Sequence, residues 1–147
     1  MAEWQEPVYD RTESDVAYAR QQIEQRKNDV ELKGCFNVGD ITRIENNTRY
    51  LADKLFELCY TQNTQTVHSW TMGSIPYQSH ISRIINNVDK LWKAYYKPDK
   101  SVDLPSTLLR YENINAIERN HFLLKEMIDN MISMFRECGT FECGEEY

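Results

Sequence analysis

Histidine and cysteine are the residue types in this chain with the most capacity for catalysis or metal binding. The 147 residues include three histidines (His68, His80 and His121) and four cysteines. Structural zinc sites pair such ligands at short spacing, and no Cys-x-x-Cys pair occurs here. Cys138 and Cys143 are separated by Gly-Thr-Phe-Glu, which could form a turn. Because the start of the chain lacks the features of a secretory signal, we expect free thiols, with a disulfide or metal site at this pair as the alternative.

The sequence contains no recognisable catalytic motif. A Gly-rich phosphate loop, a Gly-x-Ser-x-Gly elbow and a His-Glu-x-x-His helix are all missing. His121 is the one histidine on a predicted helix seam, but no second His, Cys or Ser shares its spacing, so a core histidine is the better interpretation. Glu45 and Glu118 lie beside helix stripes, and we interpret them as solvated. We therefore expect no enzymatic activity, no metal and no cofactor.

The charge balance limits the classes of partner. Asp and Glu number 23 against 17 Lys and Arg, which gives a net charge of −6 and a pI near 5.1. General nucleic-acid binders need a surplus of cations, so we expect no nucleic-acid partner. No apolar run approaches the ~18 residues of a membrane span, so we expect no membrane insertion.

Hydrophobic periodicity predicts four helices. Thr12 with Asp15, and Asn37 with Asp40, have the spacing of residues that cap a helix start. Apolar residues then recur every three or four positions. The predicted helices span about 13–27, 38–60, 76–97 and 112–137.

These helices predict an all-α fold, a four-helix bundle that is mostly antiparallel. Residues 1–11 contain Pro7 and show no periodicity, so they form an extended N-terminal arm. Residues 12–137 form the bundle, and residues 138–147 form a C-terminal tail, a short turn or hairpin.

A weak repeat links the last three predicted helices. In 40–51, 80–91 and 113–124, Ile, Ile and Leu occupy matching core positions. One position beside the apolar stripe carries Asn in all three copies, and another carries Arg in the first two. Packing of these polar side chains against neighbouring loops is the simpler interpretation, and contact with a partner subunit is the alternative. The residues are Asn47, Asn87 and Asn120, with Arg43 and Arg83.

Aromatic side chains offer a second kind of binding surface. Aromatic rings can contact sugar rings or protein partners. We expect most of them to pack in the core and loops, with Tyr96 the best candidate for an exposed contact. A glycan-binding module that recognises the bacterial surface through Trp70, Trp92 and Tyr96 is the alternative function.

Several short motifs occur together in a characteristic order. Asp10-Arg-Thr-Glu-Ser-Asp-Val16 opens the first helix, and Asp40-Ile-Thr-Arg-Ile-Glu-Asn-Asn and Tyr50-Leu-Ala52 follow in the second. This ordered set resembles a helical module of tail and baseplate structural proteins from phages and prophages of Gram-positive (Firmicutes) bacteria. The later motifs are Trp70-Thr-Met, Pro76, Arg83, Asn86-Asn87, Leu104-Pro105, Tyr111-Glu112, Asn115-Ala-Ile-Glu118 and Gly144-Glu145.

The resemblance implies a non-enzymatic virion structural protein of the tail, made in the host bacterial cytoplasm. Other tail proteins would be its partners, and it would form a homo-oligomer. Modules of this family often continue beyond the Gly-Glu into fibre or sugar-binding segments, whereas this chain ends at Tyr147. An adaptor or connector in the tail tip, baseplate or fibre region is therefore the expected role.

The arm and the tail are the parts that we expect to contact neighbouring subunits, with anchors in the arm, beside the helix stripes and in the tail. No catalytic, cofactor-binding or metal residue is predicted. The candidate interaction residues are Trp4, Val8, Tyr9, Arg43, Asn47, Arg83, Asn87, Tyr96, Phe141 and Tyr147.

Overall fold

The part of the chain that the structure describes is all-α and contains four helices. The computed structural model describes residues 2–25, 32–67, 69–71, 73–74, 77–99, 101–108 and 110–138. Residues 136–138 are described by their backbone alone. No strand occurs within these ranges. The predicted fold class, with four helices that pack against one another, is confirmed. The helices are α1 (Glu13–Glu24), α2 (Val38–Glu57), α3 (Gln78–Ala94) and α4 (Tyr111–Cys138).

Two helices begin at the capping residues that the sequence predicts. The Thr12 side chain accepts a hydrogen bond from the Asp15 amide, and the Asp15 carboxylate accepts one from the Thr12 amide. Asn37 and Asp40 form the same reciprocal pair at 3.1 Å in both directions. These bonds satisfy amides that have no partner inside the helix, so they fix the points where α1 and α2 start.

The core lies between α2, α3 and α4. The large aliphatic side chains of their predicted stripes are almost completely buried. Full burial of one such side chain contributes roughly 1.5–3 kcal/mol, so this cluster is the main source of stability. Its most buried members are Ile44, Leu51, Leu55, Val88, Leu91, Ile117, Leu124 and Ile128.

The three core helices run in the same direction, which differs from the mostly antiparallel order that we predicted. Near the start of α2, Arg43 contacts Glu118 of α4. Further along α2, Thr48 contacts His121, which is also further along α4. The partners advance together along both helices, as they do only in a parallel pair.

α3 has the same direction as α2. Arg83 contacts Glu45 near the starts of the two helices, and Tyr95 packs on Tyr60 after their ends.

The long connections explain this parallel order. After α2, the chain turns back and runs beside the helix toward its start. Gln62 donates to the carbonyl of Ala52, and Val67 then donates to Glu45, nearer the start of α2. Antiparallel neighbours need only short loops, whereas parallel helices need connections that span their length.

The fold is thus built from three similar units, each with an extended segment and a helix that runs the opposite way. We name the extended segments the arm (residues 2–11 of the predicted arm), segment 2 (residues 61–67) and segment 3 (residues 101–108). The arm precedes α2, segment 2 precedes α3, and segment 3 precedes α4. The sequence repeat in 40–51, 80–91 and 113–124 marks the helical half of each unit.

α1 is an addition to this threefold pattern, between the arm and α2. Ala19 on α1 is 1% exposed, so this helix packs through a small side chain. Gly34 then passes directly over the first turn of α1. A Cβ atom at Gly34 would stand 2.1 Å from the carbonyl oxygen of Asp15, so only glycine fits.

Candidate protein-interaction site

The arm lies in a groove between α2 and α4, which we call the arm groove. The Trp4 ring stands 5.6 Å from the Tyr50 ring of α2, and the Lys125 ammonium of α4 lies 5.5 Å from the Trp4 ring centre. Tyr9 stands 5.4 Å from Phe122 of α4. The predicted anchor residues of the arm therefore contact their own chain.

Asn47 holds the backbone of the arm with two hydrogen bonds. Its side-chain oxygen accepts from the Gln5 amide at 3.0 Å, and its side-chain nitrogen donates to the Gln5 carbonyl at 2.7 Å. Asn47 is 0% exposed, and this pair of bonds satisfies a carboxamide that would otherwise be costly to bury.

Two residues of α4 continue this backbone contact along the arm. The Glu118 carboxylate accepts from the Val8 amide at 2.8 Å. Asn115 accepts from the Arg11 amide at 3.3 Å and donates to the Arg11 carbonyl at 2.9 Å. The arm is therefore held at every third residue through the amide and carbonyl groups of its backbone.

A buried cluster of four charges lies at the end of the arm groove. Arg11 contacts Asp40 at 2.8 Å and Glu118 at 2.9 Å. Arg43 contacts the same two carboxylates, each at 2.6 Å. Two positive and two negative groups alternate, so the cluster is neutral. Buried charges persist only when they are paired and hydrogen-bonded in this way.

The pKa values in this cluster report competition between burial and charge. Burial raises the pKa of Glu118, and the guanidinium groups of Arg43 and Arg11 lower it by less. Burial also acts to lower the pKa of Arg43, but Glu118 and Asp40 outweigh it, so the pKa is raised. The cluster is an ionic clamp that joins the arm to both walls of the groove.

His121 lies in the core below this cluster, as expected of a core histidine. Its Nε2 atom is 3.0 Å from the Thr48 hydroxyl, while Nδ1 has no hydrogen-bond partner among the described residues. Burial lowers the pKa of His121 to about 3, and the charge of Arg43 adds to the effect. The ring is therefore neutral at physiological pH.

Segment 2 occupies an equivalent groove between α2 and α3. Asn87 accepts from the Gln65 amide at 3.3 Å and donates to the Gln65 carbonyl at 2.7 Å. Glu45 accepts from the Val67 amide at 3.2 Å and binds Arg83 at 3.0 Å. Segment 2 is therefore held by the same combination of an asparagine and an ion pair that holds the arm, in the neighbouring groove of the bundle.

Segment 3 follows the same plan without the ion pair. Asn120 donates to the Val102 carbonyl at 3.0 Å and accepts from the Trp92 indole at 3.0 Å. The positions that carry Arg and Glu in the other two grooves carry Ala116 and Ile85 here. Both members of the ion pair are therefore replaced by apolar residues, and this groove is held by the asparagine and apolar packing.

The flanking residues that we predicted as interaction candidates serve these grooves. Arg43, Asn47, Arg83 and Asn87 all use their polar groups inside the chain. This arrangement agrees with the simpler interpretation, in which polar flanks bond to neighbouring segments. Their contact with a partner subunit stays a prediction.

The other candidates divide between the arm, an exposed position and the tail. Val8 lies half-buried in the arm groove, next to Tyr9 in the chain, and Tyr96 is 61% exposed just after α3. Phe141 and Tyr147 lie outside the described residues, as does the predicted C-terminal turn.

Sequence reasoning missed the carboxylates of the grooves. We interpreted Glu45 and Glu118 as solvated, which is wrong, because they are 2% and 0% exposed. One signal in the repeat could have identified them. The copy in 113–124 has Ala116 in place of the arginine, and the copy in 80–91 has Ile85 in place of the glutamate, so both charges are lost together. Arg11 was also missed, because nothing in its local sequence indicates burial.

The aromatic residues of the glycan alternative do not form one surface. Trp92 is 1% exposed. Trp70 contacts His80 in the first turn of α3, with ring centres 5.3 Å apart. Tyr96 follows the other end of α3, about 21 Å further along the helix axis at 1.5 Å per residue.

The described residues provide little for metal or thiol chemistry. Cys35 and Cys59 are free, and no group of three His, Cys, Asp or Glu side chains within these ranges is arranged to hold a metal ion. Cys143 and the side chain of Cys138 lie outside the description. Among the helices that the structure describes, none combines the length and apolar character needed to cross a bilayer.

Comparison of the chain with protein-family models, curated proteins and solved structures finds no match. The fold and the grooves define the class: an all-α protein in which parallel helices hold extended segments of backbone.

Proposed function

We propose that this protein is a non-enzymatic structural component of a phage tail or phage-derived particle. It acts as an adaptor or connector in the tail tip, baseplate or fibre region, contacts other tail proteins and copies of itself, and is made in the host bacterial cytoplasm. The ordered motifs from Asp10 to Gly144-Glu145 support the family. The observation that carries the role is the use of buried polar side chains to hold extended backbone.

The use of the buried polar groups favours an adaptor over an enzyme. Asn47, Asn87 and Glu118 each bond to the backbone of an extended segment. These buried polar groups are therefore engaged in contacts within the chain, as a structural role requires.

Exposed apolar side chains supply surface for protein contacts at one end of the bundle. Phe56 in the last turn of α2 is 69% exposed, and Tyr96 after α3 is 61% exposed. Met134 and Phe135, near the end of α4, are 66% and 61% exposed. Because α2, α3 and α4 are parallel, all four residues belong to the same end. Exposed apolar side chains at this end are therefore available for contact with a partner protein.

Detection of the protein in purified tail particles tests this proposal. We expect mass spectrometry to find it there, and light scattering to show an oligomer or a complex with the product of the adjacent gene. Phe135→Ser should reduce incorporation at least several-fold, because it removes apolar surface from the exposed end. Tyr18→Ser is the matched control, since Tyr18 is 55% exposed on α1. A monomer that is missing from particles would contradict the proposal.

Glycan binding is the second candidate function, and one observation favours it. Trp70, Tyr77 and His80 line a surface cavity of about 340 Å³. The Trp70 indole nitrogen is buried there without a hydrogen-bond partner among the described residues. Cell-wall fragments should then quench tryptophan fluorescence in the wild-type protein but not in Trp70→Phe. Equal signals from both proteins would remove this candidate.

A further inference from the structure

We propose that the arm groove is a peptide-binding site that also accepts the arm of a second copy of this chain. The inference deepens the proposed structural role, since it names the partner segment and the site through which copies would join. It begins from the contacts that hold the chain's own arm.

The arm groove recognises backbone at three regularly spaced points. Asn47 pairs with both polar groups of Gln5, Glu118 accepts from Val8, and Asn115 pairs with both polar groups of the residue at position 11. Side chains that bond to an extended backbone in this way provide affinity without requiring a particular sequence, as sheet edges do when they bind peptides.

Two aromatic contacts add selectivity for the arm's own sequence. Trp4 is placed between Tyr50 of α2 and Lys125 of α4. Tyr9 packs on Phe122, and the Arg119 guanidinium lies 4.8 Å from the Tyr9 ring centre. Only a segment with aromatic residues at both positions fills both contacts. The arm of another copy has them at the same spacing.

The groove does not depend on the arm for its shape. Within the described part of the chain, the buried core cluster draws on α2, α3, α4 and Leu108, and Trp4 packs only against its edge. Residues 3–10 of the arm are partly or fully exposed. The walls of the groove are therefore held by the helical core when the arm leaves.

The contacts also locate the hinge. Arg11 is 4% exposed and is fixed by Asp40 and Glu118. Asp10 is exposed, and its side chain contacts only the exposed ammonium of Lys33 among the ion pairs of the described residues. The segment before Asp10 can therefore swing out while Arg11 keeps its ionic contacts. Exchange then replaces each contact that precedes Asp10 with an identical one, while Arg11 keeps its place against Asn115.

Because the exchanged contacts are identical, the extent of arm exchange depends mainly on the concentration of the protein. The bonds within the groove are the same in the closed monomer and the exchanged form, so the difference is mainly the entropy of association. The high local concentration of neighbouring subunits in a particle would favour exchange.

A labelled synthetic peptide of residues 1–9, the part of the arm before the hinge, is added to the full-length protein and tests the proposal by fluorescence anisotropy. In Trp4→Ala the chain's own arm is weakened, so we expect the peptide to bind at least tenfold more tightly than to the wild-type chain. Trp4→Ala combined with Asn47→Ala should bind at least tenfold more weakly than Trp4→Ala alone. Tyr9→Ala is a second variant that opens the groove, in case Trp4→Ala does not fold, and circular dichroism verifies each variant.

The control peptide carries alanine in place of Trp4 and Tyr9. Absence of binding to both opened variants, or equal binding of the control peptide, would overturn the proposal. Detection of the protein in tail particles is independent of this assay. A chain that is present in particles but does not bind the peptide would refute arm exchange alone, while a chain that binds the peptide but is missing from particles would refute the structural role.

Discussion

Asn47 on α2 and Asn87 on α3 hold two different extended segments with the same pair of hydrogen bonds. Each side-chain oxygen accepts from a glutamine amide, at 3.0 Å for Gln5 and 3.3 Å for Gln65. Each side-chain nitrogen donates to the carbonyl of the same glutamine at 2.7 Å. The weak repeat in the sequence therefore corresponds to a repeated contact between helix and segment.

The ion pairs recur between neighbouring helices in the same way. Arg43 of α2 reaches Glu118 of α4, and Arg83 of α3 reaches Glu45 of α2. α2 thus carries an arginine on one side and a carboxylate on the other, whereas α3 keeps only the arginine and α4 only the carboxylate. A parallel arrangement is required for this pattern, because it places equivalent positions of all three helices at the same level.

Loss of an asparagine clamp should destabilise the protein. Asn87→Ala removes both bonds to Gln65 and leaves its amide without that partner, while its carbonyl still accepts from Arg83. We expect the free energy of unfolding to fall by about 1–2 kcal/mol. Asn86→Ala is the control, because Asn86 is the adjacent residue and is exposed. Urea titration of both variants measures the difference, and equal stabilities would contradict the role of the clamp.

The pair of Glu45 and Arg83 should show strong coupling. Arg83→Ala leaves the buried Glu45 carboxylate with only the Val67 amide as a described partner, and we expect a loss of about 3 kcal/mol. Glu45→Ile should cost a similar amount. The double variant copies the third groove, which has Ile85 and Ala116 at these positions, so its loss should be at least about 1 kcal/mol smaller than the sum.

A double-mutant cycle by urea denaturation measures this coupling. Lys54→Ala and Glu57→Ala form the reference cycle, because that pair lies three residues apart on the exposed side of α2. Exposed pairs contribute about 0–1 kcal/mol. Additive losses at Glu45 and Arg83 would show that the buried pair acts no differently from a surface pair.

Gly34→Ala should displace α1. The new methyl group would stand 2.1 Å from the Asp15 carbonyl oxygen and 2.6 Å from the Val16 nitrogen, and both belong to backbone that cannot rotate away. Overpacking of this kind costs about 1–3 kcal/mol. Hydrogen exchange should accelerate in α1 while protection in α2 to α4 is retained. Gly73→Ala is the control, because nothing lies within 4 Å of its added Cβ.

The helices and their starting points could be predicted because they depend on local signals. Capping pairs such as Thr12 and Asp15 act over three residues, and apolar spacing fixes which face is buried. The direction of the helices could not be predicted in that way. It depends on connections that bind along the grooves, and contacts such as Val67 with Glu45 join residues far apart in the chain.

The candidate site was predicted only in part for the same reason. The repeat identified Asn47 and Asn87, since their position beside the apolar stripe recurs. Burial of Glu118 depends on Arg11 and Arg43 approaching from two other elements, and no local pattern encodes that meeting. A carboxylate beside a helix stripe is ordinarily solvated, so the average behaviour of Glu indicated the opposite.

His121 should make the stability of the protein depend on pH. Its pKa is lowered from 6.5 to about 3 in the folded state by burial and then by Arg43. Above pH 6.5 the ring is neutral in both states, so it contributes nothing to the pH dependence. Below pH 6.5 the unfolded chain binds a proton that the folded chain excludes until about pH 3. The free energy of unfolding therefore falls by about 1.4 kcal/mol for each unit by which the pH decreases in this window.

His121→Val, which copies Val88 at the equivalent position of α3, should remove this contribution. Between pH 7 and pH 5 the variant should lose about 2 kcal/mol less stability than the wild type, as measured by urea denaturation at each pH. His80→Gln is the control for loss of a histidine, because His80 lies partly exposed at the start of α3. Carboxylates such as Glu118 titrate in all three proteins, so the difference isolates His121. Parallel curves for His121→Val and the wild type would show that the buried ring accepts a proton in the folded protein.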